Sequence, residues 1–224
     1  MAEAIPLHRD DPSKEPLVGN IKVTRQDWLN VAKDILISHG VEQVKVLPMS
    51  ERLGVSRSSF YWYFKSRADL LDALLDHWEQ TNTAALIAKA NTPSDTINQS
   101  VNFVFHCVVN EKLFSIPFDF AVRDWARRSD RVRAVLHASE EARIAAIKAM
   151  FERHGYEEME ALTRARILYY MQNGYNDADL REPLEQRMKM VPHYLFGFTG
   201  KHASQDEIDD FAAYCEAVQS GENP

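Results

Sequence analysis

The chain has 224 residues, 45% of them hydrophobic and 26% charged, with a formal net charge of −7. At that length one or two compact domains with an apolar core are expected, and no run approaches the ~18–20 apolar residues that a bilayer span needs. The longest apolar run, "VNFVFHCVV", is broken by Asn102 and His106, and the distant pair Cys107 and Cys215 suggests neither a disulfide framework nor a metal cluster.

Residues 1–20, "MAEAIPLHRDDPSKEPLVGN", lack the apolar core of a secretory signal. They are polar and proline-bearing, and are expected to form a disordered arm. A cytoplasmic protein with no membrane segment follows as the expectation. The acidity is unevenly placed. Between Asn20 and Arg67, eight basic residues against four acids leave +4, so the remainder carries −11. A small basic head precedes an acidic body.

Thr24 has the character of a helix N-cap, with Asp27 at the capping-box position. Trp28, Val31, Ala32, Ile35 and Leu36 then recur at helical spacing, which predicts an amphipathic helix. Gly40 is expected to close it as a left-handed C-cap. "VKVLPMSERLG" reads as a short second helix, with Pro48 in its first turn. Val46, Met49 and Leu53 form its buried side, and Gly54 ends it. Ser56 is expected to cap a third helix after a short turn. Two short helices joined by a glycine turn, after a longer one, make a helix-turn-helix pattern.

The third helix carries "FYWYF", Phe60 to Phe64. A strand would also divide these rings between two faces, but no partner strand exists and helices flank the segment. At about 100° per residue, Tyr63 and Phe64 fall within about 60° of Phe60, on the core side. Tyr61, Trp62, Ser58 and Ser59 fall about 100° or more away, so they face outward. Small hydroxyl side chains let a helix approach closely and can bond a base edge or a phosphate; a ring can pack on a thymine methyl. Arg57, Lys65 and Arg67 flank this face, and Ser66 reads as the N-cap of the next helix.

The stretch "LGVSRSSFYWYFKSRADLL" resembles the DNA-binding head of the tetracycline-repressor (TetR) family, over roughly Val23 to Leu75. The resemblance implies that Arg57, Ser58, Ser59 and Trp62 meet base edges. Tyr61, Tyr63 and Arg67 would hold the phosphate backbone, with Lys65 nearby. Lys45, where the family usually has threonine, would lie near a phosphate at the start of the second helix; Pro48 is a second departure there.

Beyond the head, 69–89 is expected to be one long helix with Leu70, Leu71, Leu74, Leu75 and Trp78 on its apolar side. "NTPSDT" signals a turn. Helices are expected over 97–109, 118–128, 130–154, 157–176, 183–195 and 205–219, with "FGFTGKHAS" as a loop. Asp119 and Arg123 are spaced as an i,i+4 surface ion pair. A helical body either packs solidly or leaves a pocket. The resemblance implies a pocket among the fourth to eighth helices, with Trp78, Phe103, His106, Cys107, Phe118, Phe120, Trp125, Ile147 and Tyr169 as its expected lining. It also implies a two-fold dimer. The interface candidates are Leu162, Arg166, Tyr169, Tyr170 and Asn173, with Leu184, Met188 and Val191 from the next helix. Ordinary core packing would use the same residue types in both places.

No phosphate loop, His-Glu-x-x-His or Cys-x-x-Cys is present in the sequence, so no catalysis, metal or cofactor is expected. The fold expected is all-α: an arm (1–20), a three-helix DNA-binding head (21–68), and a helical effector-binding and dimerisation domain (69–224). The expected function is a ligand-responsive transcriptional repressor. It would bind a palindromic operator in double-stranded DNA as a homodimer and be released by a small-molecule effector. The alternative is a helical ligand- or protein-binding module that does not dock DNA.

Overall fold

The computed structural model describes residues 23–180 and 182–222, and among these no strand occurs. The arm expected over 1–20 lies outside the described residues. The described chain divides into two compact units: residues 23–78 with Pro117–Arg133, and Glu79–Ile116 with 134–222.

In the first unit, α1 (Arg25–His39) starts with the full capping box. The Thr24 backbone N–H donates to Asp27 Oδ2 at 2.8 Å, and the Asp27 N–H to Thr24 Oγ1 at 3.2 Å. Trp28, Val31, Ala32, Ile35 and Leu36 are all buried. Gly40 does end the helix, but its φ of 80° comes with ψ of 168°, which is extended rather than left-handed helical. It turns the chain directly into a 3₁₀ turn, Val41–Gln43. The second helix, α2 (Val46–Leu53), buries Met49 and Leu53. Val46 is only half-buried, and Val44, just before the helix, takes the core position instead.

Gly54 has φ 66° and ψ 32°, a left-handed conformation that costs other residues a Cβ clash. The third helix, α3 (Arg57–Phe60), is shorter than its sequence suggests. It tightens at Tyr61–Tyr63 into i→i−3 bonds: Tyr61 to Ser58, Trp62 to Ser59 and Tyr63 to Phe60. α4 (Arg67–Trp78) follows, with the Asp69 N–H donating to Ser66 Oγ. Its Leu70, Leu71, Leu74, Leu75 and Trp78 are buried as expected.

Two helices contribute further to this unit: most of α7 (Ile116–Ala126) and the first residues of α8 (Asp130–Arg153). Asp119 is not a surface residue: it is 1% exposed, accepts from Trp78 Nε1 at 3.0 Å and pairs with Arg123 Nε at 2.9 Å. A buried carboxylate needs such partners, because leaving it bare would cost several kcal/mol.

The long helix expected over 69–89 is not uniform. Glu79–Thr83 is a π-helical stretch, and α5 (Ala84–Ala90) follows. In the second unit this wider turn coincides with two buried polar residues. The Asn82 amide exchanges bonds with the Ser115 backbone, and Thr83 Oγ1 accepts from Arg143 at 2.8 and 3.0 Å. Arg143 itself is fully buried, its guanidinium lying over the Phe114 ring.

The rest of the second unit comprises α6 (Ile97–Val109), the remainder of α8, α9 (Glu158–Asp177), α10 (Leu184–Thr199) and α11 (Gln205–Gln219). Val101, Ile147, Met150, Phe151, Ala161, Ala165 and Leu195 form the centre of its core. The segment "FGF" is helical, not loop. Val191, Leu195 and Phe198 continue one buried stripe at i, i+4 and i+7, and Gly200 closes the helix.

Both thiols belong to this core: Cys107 and Cys215 are each 1% exposed. Burial pushes Cys107 up to about 12 and Cys215 up to about 11. Neither is thiolate at neutral pH, and neither is accessible. The native protein is therefore expected to resist iodoacetamide at pH 8 and to take two equivalents once unfolded in guanidinium, as read by intact mass.

Candidate nucleic-acid interface

The rotation of α3 decides which rings meet solvent. Phe60 and Phe64 are 0% and 2% exposed, whereas Tyr61 is 63% and Trp62 84% exposed. Phe60 packs edge-on against Trp28 with centroids 5.3 Å apart and stacks on Phe64 at 5.5 Å. These contacts anchor the short helix from beneath. They leave an outer surface of Arg57, Ser58, Tyr61 and Trp62, all exposed, with Ser59 half-buried among them. The Ser56 and Ser58 hydroxyls are 2.7 Å apart. Lys45 and Lys65 are exposed near the two ends of the α2–α3 segment. Rings, hydroxyls and positive charge thus share one accessible surface, which suits a polyanion whose base edges must be approached closely.

Two of the residues expected to hold phosphates are engaged within the head. Tyr63 is half-buried and its hydroxyl donates to the Val23 carbonyl at 2.5 Å. Arg67 donates from Nε to the Val44 carbonyl and from Nη2 to the Val41 carbonyl, both at 2.6 Å. These two residues therefore buttress the surface from inside the head. The Val41 carbonyl already accepts from the Val44 N–H inside the 3₁₀ turn, and the planar guanidinium fork bridges it to the Val44 carbonyl just beyond the turn. Nothing in the local pattern around Arg67 signals that demand, since it originates more than 20 residues upstream.

The nine pocket candidates fall in both units. Trp78, Phe118, Phe120 and Trp125 belong to the first unit, where Trp78 and Phe118 are fully buried core. Cys107, Ile147 and Tyr169 line a cavity of ≈ 30 Å³ inside the second unit, and Phe103 and His106 line an open groove of ≈ 710 Å³. In the first unit Trp78 is held by Asp119, and Phe118 has the Lys33 ammonium over its ring.

The interface candidates also divide. Arg166 and Tyr170 are exposed, Leu162, Asn173, Leu184 and Met188 half-buried, and Tyr169 and Val191 buried. Leu184, Met188 and Val191 line a third cavity of ≈ 90 Å³ among α6, α9, α10 and α11. Tyr169 and Val191 thus serve the unit's own core. Besides Tyr170, α9 and α10 expose Met159 (71%), Ile167 (50%), Met190 (37%) and Phe196 (45%), which the sequence reading missed. A register error of one or two residues on a helix is enough to exchange the two faces.

Comparison with known proteins supports this head. Residues 29–74 match the family of bacterial regulatory proteins, tetR family. The HTH-type transcriptional regulator TtgR of Pseudomonas putida is 28% identical over 114 residues, covering 51% of this chain and 49% of that protein. The match thus spans about half the length of that relative. The nucleoid occlusion factor SlmA of Mannheimia succiniciproducens is 29% identical over 161 residues, or 67% of this chain and 68% of that one. The crystal structure of Mycobacterium smegmatis AmtR superposes with a TM-score of 0.59 at 17% identity, covering 94% of this chain and 100% of that one. Salmonella enterica GusR gives 0.61 at 16% identity, covering 85% of this chain and 100% of that one. At those identities the two structures speak for the fold alone. Among the described residues no helix is long and apolar enough to cross a membrane. With the family match lying over the helices that present Trp62 and Arg57, residues 29–74 form a helix-turn-helix of the tetR family of bacterial regulatory proteins.

Proposed function

We propose that the protein is a one-component repressor that binds a palindromic operator as a homodimer and leaves it when a small molecule binds. The division of labour is an operator-reading head over 21–68 and an effector-binding, dimerising body over 69–224. The observation that carries the operator reading is the outer surface of α3, with Trp62 84% and Tyr61 63% exposed beside exposed Arg57 and Ser58. A monomeric protein has little reason to leave two large rings in water unless a partner covers them. Base contacts come from Arg57, Ser58, Ser59 and Trp62, and backbone contacts from Tyr61, Lys65 and Lys45. Tyr63 and Arg67 hold that surface in place from within.

The dimer reading rests on the exposed apolar residues Ile167, Tyr170, Met190 and Phe196. Two heads on one two-fold axis would enter successive major grooves ~34–36 Å apart, which is why the operator is palindromic. An effector can release the dimer only through its differential affinity for the bound and free states.

A gel shift against the DNA upstream of the protein's own coding region, with salt varied, tests the reading. A site with six to ten phosphate contacts loses about 10³–10⁵ in affinity between 50 and 200 mM salt. Ile167→Glu is expected to give a monomer by light scattering and to weaken operator binding by at least about tenfold, since one head lacks the second half-site. A protein that stays dimeric with glutamate at 167, or that ignores duplex DNA at low salt, contradicts the proposal.

A further inference from the structure

We propose that the cavity among α6, α9, α10 and α11 is a binding site for a small apolar carboxylate, gripped at its charged end by Arg187. The cavity measures ≈ 90 Å³. A water occupies about 30 Å³ in the liquid, so the space takes a body of about three or four carbons. Its walls are aliphatic and aromatic, with Phe105, Val109, Met171, Met188, Val191 and Phe211 among them. Among the described residues that line it, Arg187 is the one charged side chain, and no carboxylate joins it. None of Ile167, Tyr170, Met190 and Phe196, on which the dimer reading rests, lines the cavity, so each protomer carries its own.

Arg187 is the group left without a counterpart. It is half-buried, and among the described residues its guanidinium has neither a hydrogen bond nor an ion pair. Its Nε is sealed in the wall, while the two terminal nitrogens are not sealed and remain accessible. A ligand therefore meets the end of the fork, which can hold a carboxylate through two parallel N–H donors. The other polar groups in the lining are already engaged. Gln172 donates to Asn176 Oδ1 at 2.8 Å, and the Tyr175 hydroxyl donates to Glu182 Oε2 at 2.6 Å. Glu182 thus serves the tyrosine rather than pairing with Arg187. Burial keeps Cys215 a neutral thiol. A positive group set against apolar walls without a counterion is unfavourable, and an anion relieves it. An amine is repelled there. An alcohol leaves the charge unmatched, and a bare anion such as acetate leaves the walls unfilled. A carboxylate on a short hydrocarbon meets both demands.

The proposal stands apart from the operator reading, because binding is measured on the full chain without DNA. The protein is labelled with methyl-¹³C methionine and titrated at pH 7 with pentanoate, 1-pentanol, pentylamine and acetate. Of the seven methionines, Met171 and Met188 line the cavity, and Met49 lies buried in the head. Pentanoate is expected to shift the Met171 and Met188 methyl signals and to leave that of Met49 in place. It should bind at least about tenfold more tightly than pentanol, which forms no charge-assisted pair. It should also exceed acetate, which lacks three methylenes, by at least about tenfold. Arg187→Met removes the charge and keeps the stem. It is expected to melt no lower than the parent, since an unpaired charge is lost, and to weaken pentanoate at least about tenfold. Arg187→Gln carries the same test if the methionine variant does not fold. Pentanoate binding no tighter than pentanol or pentylamine overturns the proposal. So does an affinity unchanged by loss of the guanidinium, or Met171 and Met188 signals that stay in place at tens of millimolar pentanoate.

Discussion

Alanine at Phe60 is expected to unfold the head, while alanine at Trp62, two residues away, leaves its melting temperature unchanged and erases operator preference. Phe60 is 0% exposed between Trp28 and Phe64. Removing a fully buried phenyl ring costs about 3–5 kcal/mol, a large part of the ~5–15 kcal/mol that holds a typical domain together. Trp62 is 84% exposed, so its loss changes stability by no more than about 0.5 kcal/mol. Its effect falls on discrimination instead, where a good base contact contributes about 1–3 kcal/mol, or roughly tenfold or more between cognate and mutated sites. Thermal melting by circular dichroism and paired gel shifts read the two effects separately. A Trp62→Ala protein that melts early, or that still discriminates fully, contradicts the assignment of that ring to DNA.

The second expectation separates two neighbouring cations. Arg67→Ala should destabilise the head by about 3 kcal/mol, because two charged hydrogen bonds are lost and the Val44 carbonyl loses its donor, while the Val41 carbonyl keeps the Val44 N–H. Arg67→Lys should recover little, since an ammonium cannot span two carbonyls as a planar fork does. Lys65 is exposed, and only its backbone N–H is used, by Asp69. Lys65→Ala should therefore melt like the parent and flatten the log–log salt dependence of operator binding by about 0.9 per lost phosphate contact. Arg67→Ala should weaken DNA binding through disorder, with the salt slope of the folded fraction unchanged. An Arg67→Lys protein with parental stability would show that the two carbonyl bonds matter little.

Much of the head could be read directly from the residues. The Thr24–Asp27 capping box, the apolar stripe of α1, the Gly54 turn and the division of the five rings all appear in the structure. Each depends on interactions within about one turn of helix, where spacing alone determines which groups meet. The same logic located α6 and α11 to the residue. It misjudged the end of α10, where Gly197 resembles a stop, although Phe198 continues the buried stripe.

Sequence alone therefore determined the helical class, the family resemblance and the outward-facing rings, all properties of local rotation and capping. Tertiary structure decided the rest. It assigned Arg67 and Tyr63 to carbonyls 23, 26 and 40 residues away, inserted the π-helical stretch at Glu79–Thr83, and exposed Ile167, Met190 and Phe196 rather than Tyr169 and Val191. The physical reason is range: a cap or a stripe is satisfied by neighbours in the chain, whereas a buried carbonyl, a cavity wall or an exposed face depends on which distant helix packs there.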